Sequence, residues 1–277
     1  MIVLQGVSAR GEARRRMPVP MLKNVSLTWE RGVLAVVGSV ADGTALLLRT
    51  IAGADKVQSG RLEVLAQPPS EVQPRIAYVP QDVVLPDALR VEEVCALSAA
   101  LREEPPRPAR ERLAVLGLES LASRKTSSLS PVEARAVALA LAVTSIAPVV
   151  LVEEPLWGLS PVAPARVTNA LRARAAQGAC VVVTTASVRD ATRLGDQLVL
   201  LTQGVLTPCR PGSRMPGRAW RACGWWCRRV RARASRSSPR CCEPIRRSPP
   251  SKPHPSRRPV PRWCWCPVPS FSPWPRA

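Results

Sequence analysis

Two glycines five residues apart, Gly38 and Gly43, bound a short loop in the first third of the chain. The apolar residues 33–37 that precede it predict a buried strand, and the largely apolar residues 45–52 that follow it predict a helix. In a strand–loop–helix arrangement of this kind, backbone N–H groups and the helix N-terminus can bind a phosphate group. The spacing of the glycines therefore predicts a phosphate-binding loop.

The side chains of this loop are not those of an active phosphate site. Thr44 stands where a lysine is expected after the second glycine, and Ala45 replaces the hydroxyl residue that would ligate Mg²⁺. Asp42 adds a negative charge, and two like charges about 4 Å apart repel by ~1 kcal/mol in water and by ~4 kcal/mol at an effective dielectric constant of about 20. We therefore expect a loop with the shape of a nucleotide site and weak phosphate binding. Its predicted nucleotide-binding residues are Gly38, Ser39, Gly43, Thr44 and Ala45.

Two adjacent acids, Glu153 and Glu154, follow a fully apolar run at residues 149–152. Adjacent acids after a strand are often only part of a solvated loop. Here they are followed directly by a proline and, shortly afterwards, by Gly158 and Leu159, which is a less common pattern. Both acids are therefore candidate site residues.

Apolar runs and helical periodicities alternate along the rest of the chain. Further strands are predicted at 1–7, 21–29, 61–66, 75–79, 180–185, 198–202 and 205–207. Helices are predicted within 87–121, with a break at the Glu-Pro-Pro of 104–106 and a second stretch at 109–116, and at 128–147, 162–176 and 188–194. Strands that alternate with helices indicate an α/β fold with a mostly parallel sheet.

Taken together, the order of elements and these motifs resemble the nucleotide-binding subunit of an ABC transporter over residues 1–207. Beside the glycine loop, residues 78–81 (Tyr-Val-Pro-Gln) are similar to the Q-loop of that family. The resemblance implies that Gln81 senses Mg²⁺ and the transmembrane partner. Leu129 and Ser130 stand where the family signature lies, a segment that contacts the γ-phosphate held by the opposite subunit.

The two acids fit the same resemblance, although other positions depart from it. Glu153 takes the place of the Mg²⁺-linked aspartate, and Glu154 matches the catalytic carboxylate. Pro131 replaces a signature glycine, and a capping box that begins at Ser130 explains this residue without any nucleotide. Ala186 stands where the family places a histidine, and the chain's single histidine lies far away in the C-terminal segment. We therefore expect weak or no hydrolysis.

The resemblance implies a P-loop NTPase core with a mostly parallel sheet, a small antiparallel β subdomain and a helical insert at about 83–128. It implies ATP and Mg²⁺ as cofactors, with Glu153 and Gln81 linked to the metal. The implied partners are a transmembrane permease subunit and a second nucleotide-binding subunit, in a homo- or heterodimer. The protein would be cytoplasmic, peripheral on the inner face of the membrane, and would couple nucleotide binding to the permease.

The composition changes abruptly after the predicted domain at 1–207. Beyond Val205 there are 17 Lys and Arg residues against one acid, which gives this part most of the net charge of +20. Seven of the nine cysteines and six of the eight tryptophans also lie there. Residues 208–277 show neither a helical nor a strand period, which predicts a disordered tail.

This tail has more than one interpretation. A basic segment with tryptophans suits binding of nucleic acid or of an anionic membrane, and its cysteines follow no zinc-site spacing. An off-frame reading of a GC-rich gene would also encode Arg, Pro, Ala, Trp and Cys, and the abrupt change favours that origin. If the arm is genuine, a regulatory or nucleic-acid-binding protein that reuses the same fold is the rival function.

The body has the features of a soluble protein from a reducing compartment. Its longest uncharged run, residues 136–152, is shorter than the ~18–20 residues of a membrane span and contains Pro148. Cys95 and Cys180 lie in apolar patterns, which is typical of small core residues rather than of disulfides.

Overall fold

The computed structural model describes residues 1–11, 21–159 and 163–209. Most of the predicted tail at 208–277 therefore lies outside the described residues. The strands are β1 Ile2–Arg10, β2 Met21–Trp29, β3 Gly32–Val37, β4 Ser59–Val64, β5 Ile76–Val79, β6 Val149–Glu153, β7 Cys180–Thr185, β8 Gln197–Thr202 and β9 Val205–Pro208. The helices are α1 Thr44–Ile51, α2 Val91–Ala100, α3 Ala109–Ala114, α4 Pro131–Thr144, α5 Ala163–Ala176 and α6 Val188–Leu194.

Six strands form a sheet in the order β5-β6-β7-β3-β8-β9. The first five in this order are parallel, and β9 returns antiparallel to β8. In this register Val37 pairs with Thr185, and Glu153 pairs with Thr184. The carboxyl ends of β3, β7 and β6 therefore lie side by side, which is where parallel sheets bind ligands.

Three further strands form a small antiparallel sheet in the order β2-β1-β4. This confirms the expected antiparallel β subdomain beside a mostly parallel sheet. The apolar residues of these strands pack with α1 and with one face of the large sheet, to which Leu34 and Val36 of β3 belong. The intervening residues of β3, such as Val33 and Ala35, pack on the opposite face with α4 and α5. Both faces of the parallel strands are covered, which explains their unbroken apolar sequences.

The helical insert is fixed to the rest of the molecule by a buried arginine. Arg112 of α3 is 2% exposed and donates to the carbonyls of Cys95 (3.0 Å) and Leu141 (3.2 Å). It also pairs with the buried carboxylate of Glu104 at 3.6 Å. A buried charge is tolerated only when it is paired and hydrogen-bonded, so these contacts hold α2, α3 and α4 together.

Several predicted element ends are wrong by a few residues, each for a local reason. The strand predicted at 61–66 ends at Val64 because Leu65 and Ala66 adopt left-handed φ values of +56° and +64°. The helix predicted at 128–147 starts only at Pro131 because Ser130 caps it. The helical pattern predicted from residue 87 begins at Val91, since the N–H before it bonds to the carboxylate of Glu93. Within the described ranges, no helix has the length and apolar character needed to cross a membrane.

Candidate functional site

The loop between β3 and α1 starts against the end of β7. The N–H of Gly38 donates to the carbonyl of Thr185 at 3.1 Å. A Cβ on Gly38 would lie 2.5 Å from the carbonyl oxygen of Leu201, so a glycine is required at this close approach. Gly43 has φ +99° and directly precedes α1. The two glycines are therefore needed for the path of the loop, as their spacing predicts.

Between these glycines the chain forms one 3-10 turn, Val40–Asp42, which is closed by its own side chains. The carboxylate of Asp42 accepts hydrogen bonds from the N–H of Ser39 (2.9 Å) and from its hydroxyl. Its other oxygen accepts from the N–H of Gln203 at 2.9 Å. The Thr44 hydroxyl donates to the carbonyl of Ser39 at 3.0 Å. Ser39 thus directs both donors to Asp42.

Asp42 is held in its charged form. Burial acts to raise the pKa of this carboxyl, but the hydrogen bonds from Ser39 and Gln203 outweigh it and lower the pKa below the ordinary value of 3.8. A permanent negative charge therefore lies inside the glycine loop at neutral pH.

Glu153 ends β6 and is 6% exposed. One carboxylate oxygen accepts from the hydroxyl of Tyr78, and the other accepts from the backbone N–H of Gln81 at 3.0 Å. Burial, followed by the hydrogen bond to Glu153 and its charge, raises the pKa of Tyr78, so the phenol keeps its proton. The structure thus brings Glu153 and Gln81 together through the backbone N–H of Gln81.

Glu154 bonds to the end of β7. Its backbone is in the left-handed region, with φ +41°, and its N–H donates to the carbonyl of Thr184 at 2.8 Å. Its carboxylate accepts from the hydroxyl of Thr185 (2.9 Å) and from the N–H of Ala186 (2.6 Å). The predicted catalytic carboxylate is therefore next to the loop, because Gly38 bonds to the same strand end.

Leu129 and Ser130 lie at the start of α4. The Ser130 hydroxyl accepts from the N–H of Glu133 (3.2 Å), and the Glu133 carboxylate accepts from the N–H of Ser130 (2.8 Å). This confirms the predicted capping box. Leu129 packs against the core on the face of the sheet that α4 and α5 cover. The residues of this segment are therefore explained by helix capping and packing, without a nucleotide.

Arg135 makes more hydrogen bonds than any other side chain of this region, and its role was not predicted from the sequence. It lies on α4, is 3% exposed, and donates to the carbonyls of Pro80 (3.1 Å), Gln81, Glu153 and Glu154 (2.7 Å). The only indication in the sequence was a single arginine in a mostly apolar helix, with no acid of that helix paired to it. Among the described residues, no three His, Cys, Asp or Glu side chains come together as metal ligands.

Comparison with known proteins identifies this arrangement. The family model described as ABC transporter matches residues 22–157. The hemin import ATP-binding protein HmuV of Thermobifida fusca is 30% identical over 203 residues, which cover 69% of this chain and 72% of that protein. The chain belongs to the ABC transporter family. Its described residues have the fold of the ABC nucleotide-binding domain.

Other ABC proteins extend the comparison. The molybdate/tungstate import ATP-binding protein WtpC of Thermococcus kodakarensis is 29% identical over 199 residues, and the chain covers 60% of its length. A solved dimeric structure of the ATP-binding cassette MJ0796 bound to ADP and Pi has a TM-score of 0.67 at 21% identity. That match covers 76% of this chain and 99% of the other, and it shows a shared fold.

An ABC nucleotide-binding domain implies ATP and Mg²⁺, and the side chains present here do not fit that pair. Thr44 supplies no positive charge for phosphates, and Ala45 supplies no oxygen for a metal. The N–H and hydroxyl of Ser39 are taken by a carboxylate of the chain itself. Both oxygens of Glu153 already accept hydrogen bonds from protein donors.

Proposed function

We propose that this chain is a nucleotide-binding subunit of an ABC transporter that couples to a permease and has weak or no hydrolysis of its own. It would lie on the cytoplasmic face of the membrane and pair with a second nucleotide-binding subunit. One observation carries the proposal of weak or absent hydrolysis. Each of the six carboxylate oxygens of Asp42, Glu153 and Glu154 accepts a hydrogen bond from the chain.

These bonds compete with the chemistry that the family fold implies. A carboxylate that orients water or holds a metal must direct a lone pair at that ligand. Each oxygen of Glu153 and Glu154 has a second lone pair, so these bonds fix the direction of the carboxylates rather than fill them. Hydrogen bonds to charged groups are worth ~1.5–3 kcal/mol each, and each carboxylate would lose two of them in turning toward a ligand elsewhere. With no lysine at Thr44, no phosphate charge interaction offsets that cost. Weak nucleotide binding is therefore expected both from the glycine loop and from the two acids at the end of β6.

The permease contact is proposed for the segment that begins at Gln81 and continues into the insert at about 83–128. Val84 in this segment is 90% exposed, and its neighbours Val83 and Leu85 are only partly buried. Single exposed apolar residues are common on protein surfaces, so the proposal depends on the place of Val84 beside Gln81, which the family resemblance links to the transmembrane partner. We expect Val84→Asp to reduce co-purification with the permease, and Val205→Asp, at a 49% exposed position of β9 outside the insert, to serve as the control.

We propose import as the direction of transport. The relatives include proteins named for import of molybdate/tungstate, aliphatic sulfonates and hemin. These cargoes range from oxyanions to hemin, so the cargo is expected to be selected by the permease rather than by this chain.

Calorimetry of the full chain with Mg-ATP tests the nucleotide half of the proposal. We expect no binding at micromolar concentrations and no measurable turnover. Sub-micromolar affinity would contradict the proposal, as would a robust rate that Glu154→Gln abolishes. Glu92→Gln, a change at an exposed acid of α2, is the matched control.

A further inference from the structure

We propose that Arg135 is the positioning residue of this site, a brace that fixes the Gln81 segment and the Glu153–Glu154 pair against α4. The inference rests on the proposed function, because it assigns a residue to the coupling that the proposed function requires. It does not depend on nucleotide binding or on hydrolysis.

The geometry of the guanidinium supports this role. Nη1 donates to the carbonyls of Pro80, at 3.1 Å, and Gln81, which follow the end of β5. Nη2 donates to the carbonyls of Glu153 and Glu154, the latter at 2.7 Å, at the end of β6. The guanidinium is planar and its donors are fixed relative to one another. Each nitrogen therefore serves one strand end, and the separation of the two ends is set by one rigid group.

The contacts form a closed network with Glu153. The N–H of Gln81 donates to the Glu153 carboxylate at 3.0 Å, while the carbonyls of both residues accept from Arg135. Gln81 and Glu153 are thus joined twice, once directly and once through the guanidinium. A single broken contact leaves the other link in place, so the pair moves as a unit.

Arg135 also holds the unusual backbone of Glu154. This residue has φ +41°, a conformation that is unfavourable for a residue with a Cβ. Its carbonyl accepts from Arg135 and from the N–H of Trp157 at 3.0 Å. Because the backbone position sets where the side chain begins, Arg135 indirectly places the Glu154 carboxylate on Thr185.

The brace connects these segments to the first turns of α4. Ser130 caps this helix, and Arg135 lies about one turn further along. The Nη1 and Nη2 groups of Arg135 donate to four carbonyls, whereas its Nε is buried and has no hydrogen-bond partner among the described residues. The side chain is therefore oriented for the four carbonyls although one of its donors stays unsatisfied. A displacement of the Gln81 segment is therefore passed to α4 and to Glu154.

Hydrogen exchange on the full chain, read by mass spectrometry of peptides, tests the brace. Arg135→Gln removes the charge. Arg135→Lys keeps the charge but lacks the planar pair of Nη donors that reaches both strand ends. For both variants we expect about tenfold faster exchange in the peptides that contain Gln81 and Trp157, with β3 and β8 unchanged. An unchanged rate in these two peptides would overturn the proposal, and so would an equal rise across the chain.

Arg112→Lys is the matched control, because Arg112 is an equally buried arginine that donates to backbone carbonyls. Its loss should speed exchange within α2 and α3 and leave the Gln81 peptide unchanged. If Arg112→Lys loosens the Gln81 peptide as much as Arg135→Lys does, the effect is general destabilisation and the assignment fails.

The coupling between the Gln81 segment and the start of α4 is tested by a double-mutant cycle. Ser130→Ala weakens the cap of α4, and we expect it to speed exchange of the Gln81 peptide in the parent but to add nothing in the Arg135→Lys background. Additive effects would overturn the coupling role. Neither measurement involves a permease or a nucleotide, so a failure here is separate from a failure of the proposed function.

Discussion

The carboxylate of Asp42 accepts a 2.9 Å hydrogen bond from the backbone N–H of Gln203, 161 residues further along the chain. The next N–H, that of Gly204, donates to the Asp42 carbonyl at 3.0 Å. The glycine loop is thus attached at two points to the turn between β8 and β9. Asp42 does more than repel phosphate, because it supplies an internal anion for donors of the loop.

Replacing Asp42 should therefore destabilise the fold. We expect Asp42→Ala to lower the free energy of unfolding by about 1–2 kcal/mol, since the capping contact with Ser39 and the link to Gln203 are lost together. Urea denaturation of parent and variant measures the difference. Asp87→Ala, at an exposed acid, is the control and should change little. Equal unfolding of parent and Asp42→Ala would show that the contact does not contribute.

The same contact predicts a pH dependence. The pKa of Asp42 is lowered in the folded state, so its stabilisation is present above the ordinary pKa of 3.8 and is lost as the pH falls through the folded value. The stability difference between the parent and Asp42→Asn should be constant near neutrality and should shrink in acid. Unfolding measured over a pH series checks this. A difference that grows below pH 3.8 would contradict it.

Tyr78 offers a spectroscopic test of the contact with Glu153, because it is the only tyrosine in the chain. Burial, the hydrogen bond to Glu153 and the charge of Glu153 raise its pKa. Glu153→Gln removes the charge, so the phenol should ionise at a lower pH, nearer its ordinary value of 10.0, as followed by tyrosinate absorbance. Glu154→Gln should leave this titration unchanged. An unaltered midpoint in Glu153→Gln would show that the carboxylate does not act on the phenol.

The raised pKa of Tyr78 also predicts how the free energy of unfolding changes at alkaline pH. A folded-state pKa above the unfolded value means that the stabilisation by neutral Tyr78 is complete below about pH 10. It is then lost as the pH rises, because only the unfolded chain ionises easily. Stability of the parent should therefore fall above that pH.

Features that depend on local sequence could be predicted well. Strands β2 and β7 were predicted to the residue, because apolar runs and flanking turn residues mark their ends. The capping box at Ser130 was predicted for the same reason, since its partner lies three residues away.

Features that depend on distant partners could not be predicted. Arg135 donates to the carbonyl of Gln81, 54 residues earlier, and nothing in the local sequence identifies a backbone acceptor. Asp42 was interpreted only as a charge that repels phosphate, because its bond to Gln203 spans 161 residues. The motif positions were therefore accessible from the sequence, while the partners that occupy their carboxylates were not.

The loop lacks a positive charge and a metal-binding hydroxyl, and it is also occupied by the carboxylate of Asp42. These two defects can be tested separately. Thr44→Lys with Ala45→Ser returns the positive charge and the metal-binding hydroxyl, while Asp42 still holds the donors of Ser39. Adding Asp42→Ala removes that anion. We expect calorimetry to detect Mg-ATP binding by the triple variant, at least about tenfold tighter than by the double variant, because ~1.4 kcal/mol corresponds to a factor of ten and one like charge removed is worth at least that at a partly buried site.

Turnover by the triple variant should stay slow, because Ala186 and Pro131 still lack the groups that the family uses there. Equal affinities of the double and triple variants would show that Asp42 does not block the loop. If neither variant binds more tightly than the parent, the backbone between Gly38 and Gly43 has itself lost the shape of a phosphate site. The single 3-10 turn between the two glycines is held by Asp42 contacts that the triple variant removes, which argues for the expected gain in affinity and against both of these outcomes.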